Sequence, residues 1–145
     1  LKNIKNAKIK QKHYYHIKYA ESNDGINWKT NETVCIDYKD KDEYAIARPI
    51  ILKEGELYNM WYCYRGGNET YRAGYAESKE GITWKRKDEK IGINISKTGW
   101  DSEMICYPCV FTHKNKKYML YNGNNYGETG CGLAIMEEKI NAKNN

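Results

Sequence analysis

The chain has 145 residues, enough for one domain with a buried core if the chain closes on itself. Fourteen tyrosines and four tryptophans stand against a single phenylalanine, a composition that suits pleated sheets and argues against a helical bundle. The net charge is +5, but 24 Lys and Arg are interspersed with 19 Asp and Glu, and no stretch concentrates positive charge as a phosphate-tracking nucleic-acid face requires.

Nine strands are predicted in chain order: 14–20 and 27–36, then 45–52, 57–64, 71–78 and 83–87, then 104–112, 117–122 and 130–136. A repeat spaces them. Tyr19-Ala-Glu-Ser-Asn-Asp-Gly-Ile-Asn-Trp28 matches Tyr75-Ala-Glu-Ser-Lys-Glu-Gly-Ile-Thr-Trp84. One period further along, Arg48-Pro49-Ile-Ile-Leu52 is set against Tyr107-Pro108-Cys-Val-Phe111. Tyr58-Asn-Met60-Trp61-Tyr62 is set in the same way against Tyr118-Met-Leu120-Tyr121-Asn122. Asp24-Gly25, Glu80-Gly81, Gly55 and Lys114-Asn115 supply the turns between strands.

Leu57 to Tyr64 is apolar or aromatic at most positions, as in a strand covered on both faces. Pro49 and Pro108 fall at equivalent points of the first strand of their copies, and proline is tolerated mainly on edge strands. The fold class expected is therefore all-β: a β-propeller of four-stranded antiparallel blades, each first strand bordering the central channel. Residues 14–36 supply the last two strands of one blade, 45–87 a complete blade, and 104–136 three strands of the next.

At these residues the sequence becomes recognisable. Tyr-Ala-Glu-Ser-x-(Asp/Glu)-Gly-Ile-x-Trp, Ala47-Arg48-Pro49, Gly99-Trp100-Asp101-Ser102-Glu103-Met104 with Tyr107-Pro108, and Tyr118-Met-Leu-Tyr-Asn122-Gly123-Asn124 resemble the five-bladed glycosidase-like propellers. That group includes arabinanases, xylosidases and invertases, is similar to glycoside hydrolase family 43, and has bacterial members that accompany surface-polysaccharide synthesis. The resemblance runs from about His13 to Glu137 and implies only the C-terminal half of such a ring, about two blades. It also implies that three carboxylates from different blades surround the sugar, with the base on a blade upstream of Leu1. The Arg-Asp-Pro and Glu-Cys-Pro motifs of invertases are replaced here by Ala47-Arg48-Pro49 and by Glu103 to Pro108.

Chemistry is expected on the longer connections at one end of the strands. There Asp42-Glu43 and Asp101-Ser102-Glu103 precede first strands, one period apart. Paired carboxylates suit glycoside hydrolysis, retaining at a separation of about 5–5.5 Å and inverting at about 6.5–9.5 Å. In that reading Glu103 is the acid, stripped of water by Trp100 and Met104. Asp101 modulates it, and Asp42 or a residue of another chain is the base. The other reading makes these residues solvated loop acids or partners for Arg48 and nearby lysines. Arg48 and Tyr107, just before the prolines, either grip substrate or, for Arg48, anchor the acids. Arg65 joins the substrate-binding set, with Asn122, Asn124 and Tyr126, whose amides and ring suit hydroxyls and pyranose faces but also suit a plain turn.

Cys106-Tyr-Pro-Cys109 carries no redox or metal chemistry, because positions i and i+3 of a strand face opposite ways. Ser22-x-Asp24-Gly25-x-x-Trp28 resembles a sialidase Asp-box, a turn staple. The function expected is carbohydrate binding, with glycoside hydrolysis or glycosyl transfer in polysaccharide metabolism. The alternative is a non-catalytic sugar-binding or assembly module. No cofactor, metal, nucleic acid or membrane partner is expected. The unmatched cysteine count points to a cytoplasmic setting. An incomplete ring would expose a face at each end, so the partner is either a second copy completing the ring or the remainder of a longer chain.

Overall fold

The computed structural model describes residues 12–137, which leaves nearly all of the two lysine-rich ends outside. The described residues are all-β, in three antiparallel sheets. The first pairs β1 (Lys18–Glu21) with β2 (Lys29–Val34). The second runs in the order β3 (Glu43–Glu54), β4 (Leu57–Gly66), β5 (Arg72–Ser78), β6 (Lys85–Arg86). The third runs β7 (Cys106–His113), β8 (Lys116–Asn122), β9 (Cys131–Ile135). Among the described residues, helical structure amounts to short turns at Asp88–Lys90 and Asn124–Gly127.

Each sheet packs on the next. One face of the second sheet (Ile46, Met60, Tyr62, Ala76, Trp84) meets Ile17, Cys35 and Ile36 at the edges of the first. Its opposite face (Trp61, with Ile50, Leu52 and Tyr75) meets Val110, Met119 and Ala134 of the third. Asn59 to Cys63 of β4 are accordingly all buried. The link between sheets recurs. Tyr15 N–H donates to the Tyr44 carbonyl (3.2 Å) and Ile46 N–H to the Tyr15 carbonyl (3.0 Å). One sheet later Ile105 N–H donates to the Tyr71 carbonyl (3.2 Å).

Both prolines lie on an edge strand, where a missing N–H costs no ladder bond. At each one the register shifts by a bulge, between Ala47 and Ile50 and between Cys106 and Cys109. The residues just before them, Arg48 and Tyr107, take φ values of 57° and 55°.

Pairing corrects one alignment. Trp61 lies opposite Ile50, and Leu120 lies opposite Cys109, so Trp61 corresponds to Leu120 and not to Tyr121. Tyr62 therefore matches Tyr121. Gly74 under the Tyr62 ring matches Gly132 under the Tyr121 ring, where in each case an added β-carbon would come within 2.5 Å of the tyrosine. The similarity of Tyr58 to Tyr118 misled because a one-residue slip in a strand exchanges the two faces.

The turn staples are formed in both copies. Trp28 Nε1 donates to the Gly25 carbonyl and Trp84 Nε1 to the Gly81 carbonyl, each at 3.1 Å. Ser22 and Ser78 accept the N–H groups of Gly25 and Gly81, each at 2.9 Å. Trp84 is 8% exposed against the first sheet, whereas Trp28 is 61% exposed, with no described sheet beyond it.

Candidate functional site

The connections β2–β3, β4–β5, β6–β7 and β8–β9 leave the same end of the sheets and are tied together there. Gly67 N–H donates to the Asp42 carbonyl (2.7 Å). Arg72 Nη1 (2.9 Å) and the Thr70 hydroxyl both donate to the Glu103 carbonyl. Asn124 Oδ1 accepts the N–H groups of Glu103 (2.8 Å) and Met104 (3.0 Å), and its amide nitrogen donates to the Gly99 carbonyl (3.2 Å).

Inside this ring of loops lies a cluster of two arginines and several tyrosines. The Arg48 guanidinium carbon is 5.0 Å from the Tyr107 ring centroid. The Arg65 guanidinium carbon is 4.8 Å from Tyr71 and 5.1 Å from Tyr44. Tyr126 stacks on Tyr107 (centroids 6.0 Å apart, planes 26°) and meets Tyr71 edge-on at 6.0 Å. Arg65 Nη1 donates to the Tyr126 hydroxyl at 3.4 Å, and the hydroxyls of Tyr15 and Tyr71 bond to each other.

Electrostatically the cluster is unbalanced toward positive charge. Among the described residues neither Arg48 nor Arg65 takes part in an ion pair. Arg65 Nε is buried without a hydrogen-bond partner. Burial opposes the Arg65 charge, but the oxygens of Tyr71, Tyr44, Tyr126 and Tyr15 outweigh it and hold its pKa above the ordinary value. Beneath the cluster, burial pushes the Cys63 thiol up to about 11, and burial with the neighbouring thiols pushes Cys106 up to about 12. Both thiols are therefore neutral near pH 7 and supply no counter-charge to the exposed Arg48 or the half-buried Arg65.

The expected acids are placed differently. Asp42 is exposed, beside Glu43, whose buried carboxylate binds Arg86 (2.6 and 3.1 Å) and the Lys39 N–H (2.9 Å), not Arg48. Asp101 is buried and accepts the Tyr121 hydroxyl at 3.4 Å. Glu103 is exposed, without the apolar cover expected of Trp100 and Met104. Trp100 instead stacks on Tyr121 and covers Gly123 and Gly132, and Met104 is buried with Cys63 and Cys106. Among the described residues no hydrogen bond joins the carboxylate of Asp42, Asp101 or Glu103 to the arginines. The amides of Asn122 and Asn124 serve the turn itself: Asn122 donates to the Tyr126 carbonyl (2.8 Å), and Asn124 holds the 99–104 loop. Cys106 is buried and Cys109 exposed on the same strand, and both are free.

Sequence reasoning brought Arg48, Arg65, Tyr107 and Tyr126 forward and missed Tyr15, Tyr44 and Tyr71. Tyr15 recurs as Tyr71 in the same register in which Tyr19 recurs as Tyr75, a signal that pointed to that pair and not to Tyr44.

Stacked antiparallel sheets with polar loops gathered at one end are the frame of a propeller-like glycosidase. The chain belongs to the glycoside hydrolase 130 family, described as β-1,4-mannooligosaccharide phosphorylase, which it matches over residues 6–145. Uncharacterized proteins from two strains of Mycobacterium tuberculosis are 44% identical over 121 residues, 83% of this chain and 40% of theirs. The chain thus spans about two-fifths of the length of the curated relatives it matches.

Among solved structures, a glycoside hydrolase superposes with a TM-score of 0.69 at 19% identity, covering 85% of this chain and 36% of that one. A BT0996–RGII complex gives 0.68 at 19%, covering 86% and 36%. A Bombyx mori β-fructofuranosidase in complex with sucrose gives 0.59 at 22%, covering 81% and 26%. At such identities the likeness is one of fold. No helix among the described residues is long and apolar enough to cross a membrane.

Proposed function

We propose that the chain forms part of a carbohydrate-active site that transfers a glycosyl group from an oligosaccharide to inorganic phosphate. Arg48 and Arg65 hold the phosphate. A phosphate oxygen attacks the anomeric carbon, the glycosidic bond breaks, and the leaving oxygen takes a proton from a carboxylic acid. Glu103 is the acid of choice on this chain, with Asp101 and Asp42 as its candidate partners and any remaining acid supplied from outside the chain. The observation that carries the reading is the pair of guanidiniums beside tyrosine rings that, among the described residues, form no ion pair with a carboxylate, one of them with an unpartnered buried Nε. Planar forked donors suit a tetrahedral oxyanion. The description of the family as a phosphorylase supports the same chemistry.

In this reading the three sheets are blades of a five-bladed ring. The missing blades come from the rest of a longer chain or from a second copy.

The test is made on the full-length protein with β-1,4-mannobiose, with and without phosphate. Mannose 1-phosphate should form only when phosphate is present. Glu103→Gln should cut turnover while leaving sugar binding. Release of free mannose at the same rate without phosphate rejects the phosphate role. A second reading, a sugar-binding module without turnover, is favoured by the lack, among the described residues, of any hydrogen bond between these acids and the two arginines. Mannobiose binding with no turnover under either condition selects it.

A further inference from the structure

The β8–β9 turn is more strained than joining two strands requires. Asn125 and Tyr126 stand in succession at φ 52° and 62°, a conformation that a β-carbon disfavours. The corresponding β4–β5 connection takes its left-handed step at Gly67 instead, where no β-carbon is present. Such strain persists only where the surroundings over-determine it, and here they do. Asn122 grips the Tyr126 carbonyl, the Asn124 N–H donates to the Trp100 carbonyl at 2.8 Å, and the Thr129 hydroxyl donates to the same carbonyl at 2.6 Å. Four of the left-handed non-glycine residues, Arg48, Tyr107, Asn125 and Tyr126, bear on this one cluster.

The result is a fixed aromatic ring at a cationic site. Tyr126 rests on Tyr107 and Tyr71, its hydroxyl caps Arg65, and at 46% exposed it leaves part of its ring open to solvent. A plain turn would place a small polar residue there. We infer that Tyr126 is the specificity-determining residue of the sugar site: its open ring face stacks on the C–H face of a pyranose and sets that sugar beside the anion held by Arg65. The inference rests on the reading of this cluster as a carbohydrate and phosphate site. It adds the residue that selects the sugar.

Calorimetry on the full-length protein, with β-1,4-mannobiose and inorganic phosphate as separate probes, tests it. Tyr126→Ala and Tyr126→Leu should weaken mannobiose binding about three- to tenfold, the worth of one aromatic stacking contact. Tyr126→Phe keeps the ring and should stay near wild type for mannobiose, and any change in phosphate binding from loss of the hydroxyl over Arg65 should be the same in the leucine and phenylalanine variants. Leucine keeps apolar bulk, so the leucine and phenylalanine variants decide the matter even if the alanine variant does not fold. Mannobiose binding unchanged in Tyr126→Leu overturns the inference, as does loss of phosphate binding in step with sugar. Wild-type protein that binds phosphate but not mannobiose overturns the inference alone. Wild-type protein that binds neither overturns the reading of the site as well.

Discussion

Arg48 and Tyr107 share a backbone conformation and differ in everything else, one a cation and the other a neutral ring. Each stands just before a proline at a bulge, where the β-carbon is crowded on both sides. Glycine would relieve that crowding. Arg48→Gly and Arg48→Ala both delete the side chain, so their difference isolates the backbone. Arg48→Gly should be the more stable by about 1–2 kcal/mol, the cost of a left-handed β-carbon, reversing the usual order of these two residues. Urea denaturation of the pair reads it, and an alanine variant as stable as the glycine one would show that Arg48 is unstrained. The sequence exposed Arg48 and Tyr107 because repetition set them at matching places before prolines. Tyr71 was marked only as the repeat of Tyr15, and Tyr44 not at all, because Glu103 holds its place in the next copy and 14 tyrosines make any single one indistinct. Nor could the sequence orient Glu103, since the way a loop side chain turns depends on what neighbours such as Trp100 pack against. Trp100 found Tyr121 and a glycine floor.

The strands themselves follow from turn chemistry and from alternation of faces. Lys114 and Asn115 both take positive φ, as a two-residue hairpin demands, and Ser22 and Ser78 cap the staples of two copies alike. Register was less legible. Tyr58 resembles Tyr118, yet the ladder matches Tyr62 with Tyr121, and only the partner glycines on the next strand reveal it. Those glycines are required by close approach, since no side chain fits between Gly74 and the Tyr62 ring. Tyr62 cannot easily move, because it is fully buried and its hydroxyl donates to Asp88. Gly74→Ala should therefore destabilise the fold by about 1–3 kcal/mol through overpacking, against the few tenths gained from a stiffer unfolded chain. A lowered urea midpoint checks this. A Gly74→Ala protein as stable as wild type would mean that the ring shifts freely.

At the scale of the molecule, the two outer sheets each present a face that an inner sheet would bury. Leu120 and Leu133 of the third sheet stand where Trp61 and Tyr75 stand in the second, and Trp61 is buried by the sheet beyond it. Yet Leu120 is 44% and Leu133 56% exposed, with Phe111 and Ile135 beside them also exposed. At the opposite end Trp28 is uncovered where its counterpart Trp84 is buried. Burying a leucine or phenylalanine fully contributes about 1.5–3 kcal/mol, so several half-covered ones forgo an amount comparable with the ~5–15 kcal/mol stability of a whole domain. Exposed sheet faces of this kind associate, either with the next blades of a longer chain or with each other. The chain on its own should thus sediment as a dimer or larger species. Leu120→Lys combined with Leu133→Lys should return it toward monomer, because the two positions lie directly opposite each other, and like charges buried there without a partner cost more than the apolar contact yields. A wild-type chain that remains monomeric at high concentration would mean that these faces tolerate water, and the case for missing neighbouring blades would lose its energetic basis.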